Sequence, residues 1–202
     1  MIITVGRQHG SNGRDIAKAL ADELGYTCYD KEIVDHAAEN SCFSKEIFAS
    51  NDEKRVSPYI FPTSHYMGMY DMGIHESFRL SMQVASVQFD TIRQLADQGN
   101  GIFVGRCADY ILRNRKDLFR VFIMADEEFR IKTIMKRKNL KEDQAKKLIK
   151  EVDKDRASYY KYYTDQIWGD AGNFDICINS GKLGVDGTVK VIKSCLEAIE
   201  KK

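Results

Sequence analysis

Short apolar runs alternate along this chain with longer stretches whose apolar residues recur every three or four positions. The first run, Ile2-Ile3-Thr4-Val5, is rich in β-branched residues and stops at Gly6, which suits a buried parallel strand. From Gly13 the period changes. Ile16, Ala17, Leu20, Ala21 and Leu24 fall on one helical face, and Gly25 is placed to end that helix. The same reading predicts a strand over 27–29, a helix over 31–40, a long helix over 75–98 and a strand over 101–105. A short helix over 107–112, a strand over 119–124, a helix over 127–138 and a further helix reaching about 161 follow. The last strand is 175–179, and the last helix, 185–200, carries Val185, Val189, Ile192, Leu196 and Ile199 on one side. Strands alternating with helices imply an α/β protein with a parallel sheet covered on both faces. Residues 50–74 break this rhythm. They hold both prolines, Pro58 and Pro62, with Gly68, Gly73 and many aromatics, and predict an irregular, substrate-facing insertion.

The bulk composition narrows the class. With 202 residues, 43% apolar and 30% charged, and without repeats, one folded domain over 1–202 is expected rather than a disordered chain. Net charge is only +1, so nucleic acid is not an expected partner and any electropositive site must come from local clustering. Cys28, Cys42, Cys107, Cys177 and Cys195 show no CxxC spacing and read as reduced thiols of a cytosolic protein. Arg7 interrupts the amino-terminal apolar run, which predicts no signal peptide. No apolar run approaches the ~20 residues of a membrane helix. A cytoplasmic protein with no membrane partner is expected, and its oligomeric state is left open.

The strongest candidate chemistry follows the first strand, in Gly6-Arg7-Gln8-His9-Gly10-Ser11-Asn12-Gly13-Arg14-Asp15. A strand, a glycine-rich turn and a helix start form a recurrent phosphate site, because glycines let backbone N–H groups curl around an anion and the helix end adds a positive dipole. Against the pattern G-x-x-x-x-G-K-[ST], alignment on Gly13 puts Gln8 at the first glycine, Arg14 at the lysine and Asp15 at the hydroxyl position. Arginine still supplies a cation, although a planar and bulkier one. Asp15 could hold Mg²⁺ directly or through water, but would repel a phosphate without the metal. The loop taken alone supports a phosphate site and a plain strand-to-helix turn equally.

Two further stretches alter that balance. Gly105-Arg106 again stands at the carboxyl end of a predicted strand, where ligands of open α/β sheets bind. Arg106 is therefore expected to project into the crevice bordered by Gly10–Arg14, the alternative being a surface arginine after a turn. Between Arg130 and Arg156, eleven Lys and Arg stand against five Asp and Glu, a local charge of +6. Most of these lysines suit a solvated helical face, while the arginines can clamp phosphoryl oxygens in bidentate fashion. Arg130 and Arg137 lie seven apart and share a face, so this basic segment fits a flap that closes over a nucleotide.

Taken together, the loop, the Val104-Gly105-Arg106 turn and the arginine-bearing lid resemble bacterial cytidylate kinases. The stretches 10–34, 104–112 and 159–170 resemble the cytidylate-kinase-like family most closely, over nearly the whole chain and most weakly across 44–75. The resemblance implies a three-layer P-loop NTPase fold with a five-stranded parallel sheet flanked by helices. It also implies a helical lid at about 130–160, an acceptor-side insertion at about 44–75, and transfer of the ATP γ-phosphoryl group to a nucleoside monophosphate. In similar enzymes the loop holds the donor, which here falls on Gly10, Ser11, Asn12, Gly13, Arg14 and Asp15. The acceptor-binding Gly-Arg pair maps onto Arg106, an ungapped Gln-Arg pair onto Ile92 and Arg93, and the first lid arginine onto Arg130.

The chain departs from cytidylate kinases at several of these positions. Cys107 replaces the aspartate of their Gly-Arg-Asp, with Asp109 two residues on, and the lid positions carry Val152, Asp153 and Tyr159, with Arg156 as a substitute cation. The expected assignment gives Arg14 the donor β/γ-phosphates and Arg93, Arg106 and Asp109 the acceptor. Arg130, Arg137 and Arg156 act on transition-state charge, with ATP and Mg²⁺ as the implied cosubstrate and metal and Asp15 as the metal carboxylate. Two alternatives stay open. One is a kinase for another small phosphate or alcohol, its pocket shaped by Tyr59, Phe61, Tyr66 and Tyr70; the other is a nucleotide-binding regulatory protein with little turnover.

Overall fold

The computed structural model describes residues 1–54 and 71–201, so Pro58, Pro62, Tyr59, Phe61, Tyr66 and Tyr70 lie outside the described residues. The strands β1 (Ile2–Arg7), β2 (Thr27–Tyr29), β3 (Gly101–Val104), β4 (Leu118–Met124) and β5 (Ile176–Asn179) form a five-stranded sheet in the order β2-β3-β1-β4-β5. Every pairing is parallel: Val5 faces Val104 on one side and Val121 on the other, and Ile123 faces Ile178. The order places β1 at the centre, with β3 and β4 beside it, so three strand carboxyl ends open onto one crevice at the point where the winding reverses.

Helices cover both faces, as the alternation predicts. On one face α1 (Gly13–Leu24) and α8 (Ser180–Glu200) pack Ile16, Leu20, Val189, Ile192 and Leu196 against Ile3, Val5, Val121 and Ile123. Each of these fully buried aliphatic side chains contributes about 1.5–3 kcal/mol relative to exposure. Gly25 ends α1 in the left-handed region, its N–H donating to the Ala21 carbonyl. On the other face α2 (Glu32–Glu39), α4 (Asp71–Asp97) and α5 (Ala108–Ile111) enclose Ile2, Ile33, Ile92, Leu95 and Phe103. A helical pair, α6 (Glu127–Lys138) and α7 (Glu142–Thr164), closes on its own small core of Ile131, Ile134, Ala145 and Ile149. No described helix is long and apolar enough to cross a membrane.

Two stretches differ from the sequence expectation. A short helix, α3 (Lys45–Asn51), stands where none was predicted, its Phe48 packed on Ala37 and Val84. The long helix α4 begins at Asp71, inside the stretch expected to be irregular. Within α8, Gly184 (φ 67) has non-helical angles and separates a first turn at 180–183 from the helix expected over 185–200.

Candidate functional site

The glycine loop is held from behind by its own side chains. The buried Ser11 hydroxyl lies 2.9 Å from the Gln8 carbonyl and 3.1 Å from that of Ile123, and the Ser180 hydroxyl donates to the Ser11 carbonyl at 2.6 Å. The Gln8 side-chain oxygen accepts from the Ala125 N–H at 3.1 Å, so the residue at the first glycine position ties the loop to the end of β4. Gly10 (φ 84) and Asn12 (φ 61) turn the chain so that α1 begins with no side-chain cap. The first N–H groups of a helix have no helical acceptor, and no side chain caps them here.

The predicted arginines converge on this loop, each held by a carboxylate. Arg14 pairs with Asp30 at the end of β2, and Arg137 pairs with Asp15 while donating to Asn12 Oδ1 at 2.7 Å. Arg130 is 2.5 Å from Asp153 and reaches the His9 carbonyl at 3.4 Å, while the other Asp153 oxygen accepts the His9 N–H at 2.7 Å. A cavity of about 260 Å³ opens over the loop, lined among the described residues by Arg7, Gln8, His9, Gly10, Asn12, Gly13, Arg14, Ile134, Arg137, Lys138 and Arg156. It is lined by five Arg and Lys side chains and by no carboxylate among the described residues. Burial, then Arg156, Lys138, Arg7 and Arg130, lowers the His9 pKa to about 4, so this imidazole is neutral at pH 7. Two buried nitrogens at the loop, His9 Nε2 and Arg130 Nε, have no hydrogen-bond partner among the described residues.

The second centre lies at the turn after β3. Gly105 donates its N–H to the Val5 carbonyl at 3.1 Å, and its φ of 74 leads into Arg106 and Cys107, both also left-handed. A Cβ on Gly105 would collide with the Arg7 guanidinium and the Glu53 carboxylate, and one on Gly13 would strike the Arg7 side chain. Arg7 thus runs between two loops that must carry glycine at the point of contact. It donates to both Glu53 oxygens, at 2.6 and 2.8 Å. The Arg106 side chain, only 2% exposed, donates to Asp52 at 2.7 and 2.6 Å and reaches the Val104 carbonyl at 3.2 Å and Asp30 at 3.5 Å. Burial opposes charge on Arg106, yet Asp52, Glu53 and Asp30 raise its pKa above the ordinary arginine value. Arg156 donates to Glu53 at 3.2 Å and to the Arg7 carbonyl at 3.2 Å. Burial and the neighbouring Arg7 lower its pKa to about 10, leaving it charged.

Two predicted residues are placed otherwise. Arg93 lies on the exposed side of α4, paired with Asp90 at 2.7 Å, and lines none of the cavities described here. The residues that bring α4 to the sheet are instead its neighbours Ile92, Leu95 and Ala96. Asp109 is near Arg106 but is buried and accepts the Tyr160 hydroxyl at 2.6 Å, and burial raises its pKa. The sequence reading missed Arg7, His9, Asp30, Asp52 and Glu53. Arg7 and Asp30 stand at strand carboxyl ends, so the rule that selected Arg106 finds them too.

A parallel sheet in this order, with a glycine-rich loop after its central strand and an arginine-bearing helical pair beside it, defines a P-loop kinase fold. The chain belongs to the cytidylate kinase-like family, whose profile matches residues 2–182. It is 26% identical over 203 residues to a cytidylate kinase of Methanothrix thermoacetophila, covering 99% of this chain and 100% of that one. A cytidylate kinase of Methanocaldococcus jannaschii is 28% identical over 111 residues, a match that spans 54% of this chain and 62% of the relative. Among solved structures, an uncharacterized protein from Eubacterium ventriosum superposes with a TM-score of 0.74 at 28% identity over 98% of both chains. Shikimate kinase from Bacteroides thetaiotaomicron shares the fold, with a TM-score of 0.57 at 12% identity over 98% of both chains.

Proposed function

We propose that this protein transfers the γ-phosphoryl group of ATP to a nucleoside monophosphate, CMP or a related pyrimidine nucleotide. The observation that carries the reading is the cavity over the glycine loop, lined by arginines and a lysine and by no carboxylate among the described residues. Such a lining matches a polyphosphate and little else of that size. The uncapped start of α1 and the unpartnered His9 Nε2 and Arg130 Nε offer further polar groups for phosphate oxygens.

In this reading Gly10, Ser11, Asn12 and Gly13 present the loop to the donor, and Arg14, the least buried of the arginines beside it, turns from Asp30 to the β/γ-phosphates. Arg106 organises the acceptor side of the crevice. Arg130, Arg137 and Arg156 reach in from α6 and α7, where they neutralise charge on the transferring group and exclude water as the pair closes. An oxygen of the acceptor phosphate bonds to the γ-phosphorus while the bond to the β–γ bridging oxygen breaks, giving ADP and a nucleoside diphosphate. Asp15, on the first turn of α1 and outside the cavity lining, is the carboxylate that would hold Mg²⁺ once Arg137 leaves it for the donor, and hard oxygen donors of this kind fit that ion. When bound, Mg²⁺ supplies neutralising charge on the donor oxygens.

One observation favours a second acceptor class. Cys107 takes the place of a carboxylate at the Gly-Arg turn, and Asp109 is committed to Tyr160, so the feature that would read a cytosine or ribose is altered. A different small phosphate or an alcohol is the alternative acceptor. A coupled ADP-formation assay across nucleoside monophosphates and phosphorylated or hydroxylated small metabolites decides between them. CMP-dependent turnover is expected; turnover with another acceptor alone selects the second reading, and none with any acceptor rejects both.

A further inference from the structure

Four donor contacts meet at one carboxylate. Glu53 receives both Arg7 nitrogens at 2.6 and 2.8 Å, Arg156 Nε at 3.2 Å and the backbone N–H of Arg106 at 2.9 Å. These donors come from β1, α7 and the turn after β3, and no two adjoin in sequence. Two guanidinium groups and a backbone amide converging on two oxygens are the arrangement that binds a phosphate monoester. The carboxylate oxygens of Glu53 stand where two non-bridging oxygens of such a group would stand.

Three observations separate this from an ordinary structural ion pair. Glu53 itself sits in the left-handed region, at φ 50, although it is neither glycine nor asparagine, in a turn after α3 that the Lys54 N–H closes on the Asn51 carbonyl at 3.4 Å. Second, its place in the fold is the crevice, directly over Gly105, where a Cβ would collide with the Arg7–Glu53 pair. Third, the lining of the cavity over the loop also includes Arg7 and Arg156, so the donors of this cluster border the candidate donor site. Burial favours the neutral acid, but Arg7 and Arg156 hold Glu53 ionised well below the usual carboxylate range. An anion is therefore what the cluster selects.

We propose that Arg7, Arg156 and the Arg106 amide form the binding site for the acceptor's phosphate, and that Glu53 occupies this site in the ligand-free protein as an internal anion that the acceptor must displace. The chemical class of ligand is a phosphate monoester dianion. Asp52, which fixes the Arg106 side chain at 2.6 Å, anchors the hinge on which Glu53 leaves. The consequence is a self-blocked acceptor site: Arg7 and Arg156 remain paired until a competing anion arrives, which keeps two close guanidinium groups neutralised and sets the acceptor's affinity. The proposal rests on the phosphotransferase reading for its biological role, but the anion site can be tested without turnover.

The test is calorimetric titration of inorganic phosphate, and separately of ADP, into wild type, Glu53→Gln and the double variant Glu53→Gln/Arg7→Gln. Phosphate is expected to bind Glu53→Gln at least tenfold more tightly than wild type, and the double variant is expected to lose that gain. ADP affinity should move less than twofold in Glu53→Gln. A folded Glu53→Gln protein that binds phosphate no more tightly than wild type overturns the proposal. Should Glu53→Gln not fold, Glu53→Asp keeps the charge but withdraws it by one methylene. A threefold tightening there supports displacement, and an unchanged or weaker constant overturns it. ADP formation with the acceptor panel is measured on the same samples. Tightened phosphate binding without turnover sinks the phosphotransferase reading and keeps the anion site, whereas turnover without tightening does the reverse.

Discussion

The connections after β1 and β3 each carry a glycine followed by an arginine, Gly13-Arg14 at the start of α1 and Gly105-Arg106 directly after β3, and the fold uses them in opposite ways. Arg14 extends from the first turn of α1 with 52% of its side chain exposed and pairs, among the described residues, with Asp30. Arg106 is 2% exposed, with Asp52, Asp30 and the Val104 carbonyl all within reach. The first arginine is free to exchange its partner for a ligand. The second is committed to the architecture of the crevice, and its backbone N–H rather than its side chain reaches Glu53, at 2.9 Å. A Gly-Arg pair after a strand therefore marks where a site lies without saying which arginine will touch the ligand.

Substitutions at the buried turn give the largest effects. Arg106→Ala leaves Asp52 without its cation and Asp30 with Arg14 only, and removing one partner of a buried pair costs about 3–5 kcal/mol. Denaturant unfolding measures this, and a loss below about 1 kcal/mol would make Arg106 the equal of an exposed arginine and end the contrast. Gly105→Ala combines a positive φ with the collision on Arg7 and Glu53, and is expected to cost about 1–3 kcal/mol. The measurement is the same, with Gly99→Ala as a control at a positive-φ glycine that has nothing within 4 Å. Only the strain should remain in the control.

Acid titration probes the loop side of the comparison. His9 is held at about pKa 4, whereas it titrates near 6.5 in the unfolded chain. The unfolded state therefore binds a proton that the folded state refuses, so the stability is whole above about pH 6.5 and drains away as pH falls toward 4. His9→Gln should flatten the stability profile in that window and leave it unchanged above pH 7. A variant profile with the wild-type slope would place the acid sensitivity elsewhere. The smallest effect is expected at Arg93, where only an exposed pair with Asp90 is lost. Arg93→Ala should change the acceptor KM by less than about twofold and stability by less than about 0.5 kcal/mol. A tenfold rise in KM would restore Arg93 to the acceptor site.

The outline of the fold was legible because the period of the apolar residues is carried by each segment itself. Ile16, Ala17, Leu20 and Ala21 are buried on the face their spacing predicts, and the five strands fall where the apolar runs stand. The short helix at 45–51 escaped notice because its seven residues offer Ile47 and Phe48 and no repeat of them. Gly184, with its non-helical angles, sets the start of the last regular helix at 185, where the period places it. In the site, the glycine loop and Arg106 could be read because strand, glycine and arginine adjoin in sequence. The acids that neutralise them could not. Glu53 is 46 residues from Arg7 and 103 from Arg156, and nothing local announces a pairing over such separations. Arg93 went astray for a related reason, since ungapped counting back from Arg106 ignores which side of α4 meets the sheet.

The central claim is that the altered glycine loop, with Arg14 in place of lysine, still serves phosphoryl transfer. It is tested most directly by measuring ATP binding and ATP-dependent turnover for Arg14→Ala beside wild type. Turnover is expected to fall by on the order of 10³, with ATP binding weakened, while folding stability shifts by less than about 1 kcal/mol. A variant that binds ATP and turns over as wild type does would contradict the claim.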